Sequence, residues 1–177
     1  EQQGILFGIT ASQVFLEILS KEQLLLTQSN TMEQLKNNLL PMEISFTNKD
    51  NSIFNLAELF ARIIDYKSPF TKYHSVGIAG KAKQMADSLG WDKATAAKLY
   101  FAGALHDIGK LFVNNAVLEK PGRLEADEYK HIQTHADWTW RLLSKIQGFE
   151  EIRCWAAYHH EKLNGKGYPF GKTAQEL

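Results

Sequence analysis

The adjacent pair His106-Asp107, followed by Ile108-Gly109-Lys110, is the first place in this sequence where chemistry could begin. Alone, a His-Asp dipeptide at a helix end is ordinarily a cap or a turn. Its company changes the reading. His74 lies upstream on an expected helix, His135 downstream on another, and His159-His160 stand side by side at the end of a third, so five of the six histidines fall at helix ends or faces that can converge. Neutral imidazole nitrogens with a bridging carboxylate suit divalent transition metals, and two such ions about 3.5–4 Å apart can share an activated hydroxide. The chemistry in view is metal-assisted hydrolysis.

His131 sits four residues before His135, a spacing that can place two imidazoles on one helix face and is used in zinc sites. It is read as a partly exposed helix histidine and not as a ligand.

These residues need helices to position them. With only four prolines and apolar residues at helical rather than alternating spacing, the whole chain reads as all-α, and no sheet is expected. Helices are expected over residues 4–26 and 31–40, the second opened by Asn30 or Thr31 and closed before Pro41. The polar run Thr47-Asn48-Lys49-Asp50-Asn51-Ser52 marks a boundary between an N-terminal appendage, residues 1–50, and a main domain, residues 51–177. Beyond it Ile53, Leu56, Phe60, Ile63 and Ile64 form one apolar stripe, with Ser52 or Asn51 as cap and an end near Pro69. Further helices are expected from Thr71 to Leu89 with Gly90 as the stop, from Asp92 to Leu105, from Glu125 to Lys145, and from Phe149 to His160. Residues 111–123 read as irregular, and Asn164-Gly165-Lys166-Gly167-Tyr168-Pro169 as a loop.

Composition bounds the partners. The 177 residues suffice for one domain with an appendage. Lys+Arg and Asp+Glu balance at 20 each, which removes the basic field that a nucleic-acid polymer usually requires. A single cysteine, Cys154, excludes an internal disulfide framework and reads as a buried small hydrophobe in a reducing compartment. The uncharged stretch over residues 2–16 is shorter than the ~20 apolar residues of a membrane span, so the chain reads as soluble and cytoplasmic. Because residue 1 is Glu and not Met, the chain is expected to be a fragment.

Several separated motifs, in order, resemble the HD-GYP family, a branch of the HD superfamily of metal-dependent phosphohydrolases. They are Ser68-Pro69-Phe70-Thr71-Lys72-Tyr73-His74-Ser75, His106-Asp107-Ile108-Gly109-Lys110, Lys120-Pro121-Gly122, the His135 helix, and His159-His160-Glu161 running to Gly167-Tyr168-Pro169. The resemblance covers roughly residues 53 to 177. It implies an HD-type helical bundle in which His74, His106, Asp107, His135, His159 and His160 bind metal, with Asp107 bridging. It implies further that Asp107 and Lys110 act in catalysis, and that Lys110 touches the substrate phosphate. Lys162, Gly167, Tyr168 and Pro169 would meet the substrate, with Lys166 and Arg123 free to approach phosphates.

The activity implied is a cyclic di-GMP phosphodiesterase working through a metal-bound hydroxide on two divalent ions, iron or manganese first, with zinc, nickel or magnesium able to stand in. The resemblance also implies a partner that synthesises cyclic di-GMP (a GGDEF-type protein) meeting the Gly-Tyr-Pro loop, and leaves a homodimer open. Two rivals remain: an HD-superfamily hydrolase acting on another nucleotide, and a regulatory module that binds a nucleotide or partner without turnover.

Three departures from the family pattern matter. Phe70 stands where some members carry a third-metal Glu, so two metals are expected. Asn164 replaces an Asp before Gly and is taken as a turn former. The family's final ligating Asp, in a Val-Ala-Asp segment, would fall beyond Leu177, so the domain is expected to lack its C-terminal helices. Trp138 and Trp140 are two apart on one helix and cannot share a face, and they are assigned with Trp155 to core packing rather than to base stacking.

Overall fold

The computed structural model describes residues 51–67 and 73–177, with side chains from Phe54 onward. The helices expected over 4–26 and 31–40, the polar boundary up to Asp50, and residues 68–72 with Phe70 among them lie outside the described residues. The chain divides into two compact units, Glu1–Leu56 and Ala57–Leu177, and the site lies wholly within the second.

Among the described residues six α-helices follow in order: α1 (Asn51–Tyr66), α2 (His74–Ser88), α3 (Lys93–Leu105), a short α4 (Asn115–Leu118), α5 (Ala126–Leu143) and α6 (Glu150–Ala157). A 3-10 turn, Ile108–Phe112, joins α3 to α4. The described residues hold no strand, only an isolated bridge pairing Asn164 with Thr173. The all-α reading therefore holds. No helix among the described residues is long and apolar enough to cross a membrane.

Local chemistry sets the boundaries. Asp92 caps α3, its carboxylate accepting from the Ala94 and Thr95 amides, and Gly90 (φ 73) ends the turn after α2. Glu128 accepts from the Glu125 amide at 2.7 Å and from Lys120 Nζ at 2.6 Å, which starts α5 and ties the Lys120-Pro121-Gly122 segment to it.

Four expectations need correction. The second helix begins at His74 and not at Thr71, because Tyr73 sits at φ 64, in the left-handed region that interrupts a right-handed helix. The 111–123 stretch is not wholly irregular: Asn114 accepts from the Ala116 amide and opens α4. Cys154 is half-buried rather than buried. The last helix also stops at Ala157, so His159 and His160 lie in the turn beyond it.

The core brings Phe101 edge-on to Phe149 (5.8 Å between centroids) beside Leu105, Leu143 and Ile152. Two close backbone approaches fix how the helices meet. A β-carbon on Gly103 would stand 2.9 Å from the Ala79 Cα, so α2 and α3 cross nearly in contact. A β-carbon on Gly109 would stand 1.8 Å from the His135 carbonyl oxygen, so the turn after α3 packs directly on the α5 backbone. Thr139, fully buried one turn after His135, locks that contact: its Oγ1 donates to the His106 carbonyl and accepts from the Gly109 amide, both at 3.1 Å.

Gly109→Ala should therefore destabilise the protein by about 3 kcal/mol, since neither backbone can yield without moving a helix. Urea unfolding measures this, and an unchanged midpoint would contradict the packing described.

Candidate metal centre

Every expected ligand converges on one place. Asp107 sits in the break between α3 and the 3-10 turn with φ −101 and ψ 9, the sparsely populated bridge region common at active sites. Its carboxylate is almost fully enclosed, and each oxygen faces a different group. Oδ2 lies 3.0 Å from His106 Nε2, 3.9 Å from His74 Nε2 and 2.7 Å from Lys110 Nζ. Oδ1 lies 3.5 Å from His135 Nε2 and 3.9 Å from His159 Nε2. Two trios that could each hold a metal ion result, His74-His106-Asp107 and His135-His159-His160, with the donor atoms of each lying within 4.8 Å of one another.

Adjacent residues can join one site only where a helix breaks, because neighbours on a helix point about 100° apart. Both adjacent pairs meet this condition. His106 ends α3 and Asp107 follows it, while His159 and His160 occupy the turn after α6 with ring centroids 4.1 Å apart. His74 is delivered by the first turn of α2. There the buried Asp65 of α1 accepts from the Ser75 amide with both oxygens (3.1 Å each) and from Ser75 Oγ at 2.6 Å.

Three of the imidazoles are oriented in one way. Nδ1 of His106, His135 and His159 lies 2.8, 2.6 and 2.7 Å from the carbonyl oxygens of Gly103, Ile132 and Ala156, each three residues earlier. A carbonyl can only accept, so Nδ1 carries the proton and donates, and in the neutral ring Nε2 presents a bare lone pair to the centre.

Those lone pairs decide the fit to a metal. His135 and His159 face each other Nε2 to Nε2 at 3.2 Å, an arrangement that is repulsive unless a cation lies between them. Protons fill this role poorly. Burial, with the charges of His106 and His160 nearby, pushes His159 down to about 3, burial lowers His135 as well, and burial with the charge on His135 takes His160 down to about 4. Two nitrogens each about 2.1 Å from one ion stand about 3.0–3.4 Å apart, so the observed separation suits a shared metal. At the other trio burial opposes the charged imidazolium of His106, but the Asp107 hydrogen bond and charge outweigh it and raise the pKa. Burial likewise opposes charge on Asp107, yet His106 and Lys110 hold it well below the usual carboxylate range. A nitrogen and carboxylate donor set of this kind suits divalent transition metals.

A cavity of about 430 Å³ opens onto the Asp107 side. Its polar end is formed by His74, His106, Asp107, Lys110, His159 and His160, and its apolar wall includes Ile78, Leu99, Ala102 and Trp155. Trp155 is thus a wall of the site rather than core filling, while Trp138 stacks on Phe112 and Trp140 on Tyr158, away from the cavity. Lys162, Lys166 and Arg123 are exposed and do not line it. Gly167, Tyr168 and Pro169 do not line it either, although Tyr168 stacks on His160 with centroids 4.6 Å apart. His131 turns away, its Nε2 accepting from the Asn114 amide at 3.3 Å.

The HD domain family profile matches residues 58–177. The chain belongs to the HD domain family. Among curated relatives, this HD domain is 39% identical over 140 residues to "3'3'-cGAMP-specific phosphodiesterase 3" of Vibrio cholerae serotype O1, covering 79% of this chain and 30% of the relative. It is 34% identical over 170 residues to "3'3'-cGAMP-specific phosphodiesterase 1" of the same organism, covering 95% and 39%. With "Cyclic di-GMP phosphodiesterase" of Thermotoga maritima it shares 28% identity over 159 residues, covering 85% and 42%. The chain therefore spans less than half the length of each of these relatives. These findings accord with the family recognised from the motifs.

The histidine shifts predict a pH dependence. Unfolded, His135, His159 and His160 titrate near 6.5, and folded they titrate lower, so between those values the unfolded chain binds more protons and stability falls as pH falls. His106, raised above its usual value, opposes this slope in the upper part of the range, where the folded ring keeps a proton that the unfolded one releases, but it is one group against three. Asp107 stays ionised in both states above about pH 5. The urea midpoint of the metal-free protein should therefore drop from pH 7 to pH 5, and a constant or rising midpoint would contradict the burial of neutral imidazoles.

Proposed function

We propose that this HD domain is the catalytic part of a metal-dependent phosphodiesterase that hydrolyses the 3'–5' phosphodiester of cyclic di-GMP to the linear dinucleotide or GMP. The observation that carries the reading is the Asp107 carboxylate set between two histidine groups, one oxygen toward each, at a cavity that Lys110 also lines. The substrate class is supported by the HD-GYP motifs and by the names of the relatives. A second reading within that class takes 3'3'-cGAMP as substrate, favoured by the names of the two Vibrio cholerae relatives at 39% and 34% identity.

In the reaction a water oxygen forms a bond to phosphorus, the bond from phosphorus to the ribose 3'-oxygen breaks, and that oxygen gains a proton. Two divalent ions, iron or manganese, held by His74, His106 and Asp107 on one side and by His135, His159, His160 and Asp107 on the other, would supply Lewis acidity and lower the pKa of a bound water. The chain's own residues do the rest. Asp107, ionised and buried, ties the two groups into one site. The three carbonyl-held imidazoles keep their Nε2 atoms aimed inward without reorganisation. Lys110 Nζ, 2.7 Å from Asp107, is a fixed cation for a non-bridging phosphate oxygen. The wall of Ile78, Leu99 and Trp155 keeps water from one side of the substrate.

The same reading assigns residues 51–177 to the HD-GYP domain and residues 1–50 to an N-terminal helical segment that ends a regulatory or a degenerate HD-like domain, in a cytoplasmic protein. It assigns the edge formed by Lys162 and the Gly167-Tyr168-Pro169 loop to contact with the outer part of the substrate and with a GGDEF-type partner, and it allows a second copy of the chain.

The test is turnover of cyclic di-GMP and 3'3'-cGAMP by the full-length protein loaded anaerobically with Fe(II) or Mn(II). Lys110→Ala should cost about 10²–10³ in kcat, the scale for removing one electrostatic stabiliser. Asp107→Ala should abolish turnover together with bound metal. Preferential cleavage of 3'3'-cGAMP would select the second reading, and metal binding with neither dinucleotide cleaved would sink the substrate claim.

A further inference from the structure

Three of the histidines owe their ring orientation to a hydrogen bond from Nδ1 to a carbonyl three residues back. His160 is different. Among the described residues none hydrogen-bonds its ring, and its neighbours are other rings: His159 at 4.1 Å, His135 at 5.2 Å and Tyr168 at 4.6 Å, the last stacked at 26°. Two of these are members of its own trio. Tyr168 is therefore the group outside the trio that fixes the plane of the His160 imidazole, and the question becomes what holds Tyr168.

The answer lies in the next residue of the sequence. Glu161 turns its carboxylate back onto the loop and accepts from the Phe170 amide at 2.7 Å with Oε1 and from the Lys172 amide at 2.9 Å with Oε2. Hydrogen bonds from amides to an ionised carboxylate are about twice as strong as neutral ones, and these two straddle the loop just after Tyr168-Pro169. The start of the loop is pinned from the same place. A β-carbon on Gly167 would lie 2.4 Å from the Glu161 Cα, so the loop backbone presses directly on Glu161, while the Tyr168 amide donates to the His160 carbonyl at 3.3 Å. Phe170 then lies edge-on to Trp140 (5.1 Å) and Tyr158 (5.8 Å), which anchors the far side.

We propose that Glu161 is a positioning residue: by gripping the loop through the Phe170 and Lys172 amides it keeps Tyr168 stacked on His160 and so aims that imidazole at the His135-His159 pair. The Glu161 carboxylate belongs to neither trio and does not line the cavity, so its grip reaches the His160 ring through the loop that carries Tyr168. A glutamine at this position retains one acceptor oxygen and turns an NH2 group toward the second amide, two donors facing each other. The grip then fails on one side with little change in volume.

The test uses the full chain and two independent readouts, of which only the metal readout rests on the proposed function. The first is the ring-current shift of the His160 imidazole protons in the metal-free protein. It should be upfield in the wild type and in Tyr168→Phe, and lost in Tyr168→Leu and in Glu161→Gln. The second is Mn(II) or Co(II) titration by calorimetry. Glu161→Gln and Tyr168→Leu should weaken one of two ions by about 10–100-fold, the range for loss of an outer-shell partner, and leave the other unchanged. Tyr168→Phe should bind both normally, because the ring and not the hydroxyl does the positioning. A retained ring-current shift in Glu161→Gln overturns the proposal, as does equal weakening of both ions with a lowered melting temperature. If the wild type binds no metal while the shift is present and disappears in Glu161→Gln, the positioning role stands and the proposed function falls.

Discussion

The contact on which the rest of this structure depends is that between the turn after α3 and the backbone of α5. Gly109 leaves no room for a β-carbon against the His135 carbonyl, and Thr139 bonds at once to the His106 carbonyl and the Gly109 amide. This sets the register of one helix end against the other to within a fraction of a side chain. Because the contact is between backbones, it cannot be relaxed by rotamers. Asp107 is thereby held with one oxygen toward His106 and His74 and the other toward His135 and His159.

Around that contact the centre is assembled from helix ends and from His135 within α5. Two pairs of sequence neighbours, His106-Asp107 and His159-His160, both enter it because each lies where a helix stops. Helix ends also supply two of the three carbonyls that orient the rings, Gly103 and Ala156, since the last turn of a helix leaves carbonyl groups unpaired, while Ile132 lies within α5. The result is a set of inward-facing imidazole nitrogens, those of His135, His159 and His160 kept neutral by burial, around one ionised carboxylate. That arrangement is costly without a cation, and the cost is what gives the site affinity for one.

Much of this is legible in the sequence. Period and capping give helices over α3, α5 and α6 within a few residues, because Asp92, Gly90 and the apolar stripes act locally. The candidate ligand residues are legible by type and by their placement at expected helix ends or faces. Motif resemblance supplies the family. What cannot be read is set by contacts distant in sequence. Thr139 looks like any polar helix residue, and Asp65 like a surface acid at the end of an amphipathic helix, until the fold places one against Gly109 and the other under Ser75. The helix start at His74 escapes a periodicity argument, which carries no signal for the φ of 64 at Tyr73. Trp155 reads as core because an apolar residue on a helix looks alike whether it faces a neighbour helix or a cavity. Nor does any residue type here name a guanine or an adenine.

The central claim is that one buried carboxylate joins two metal-binding groups, and the spectrum of the Mn(II)-loaded protein tests it most directly. With two Mn(II) ions per chain about 3.5–4 Å apart, electron paramagnetic resonance should show an exchange-coupled signal with hyperfine spacing half that of a lone ion, and that signal should vanish in Asp107→Ala. A six-line spectrum of isolated Mn(II) at full loading would contradict the account, because the two groups would then not share Asp107.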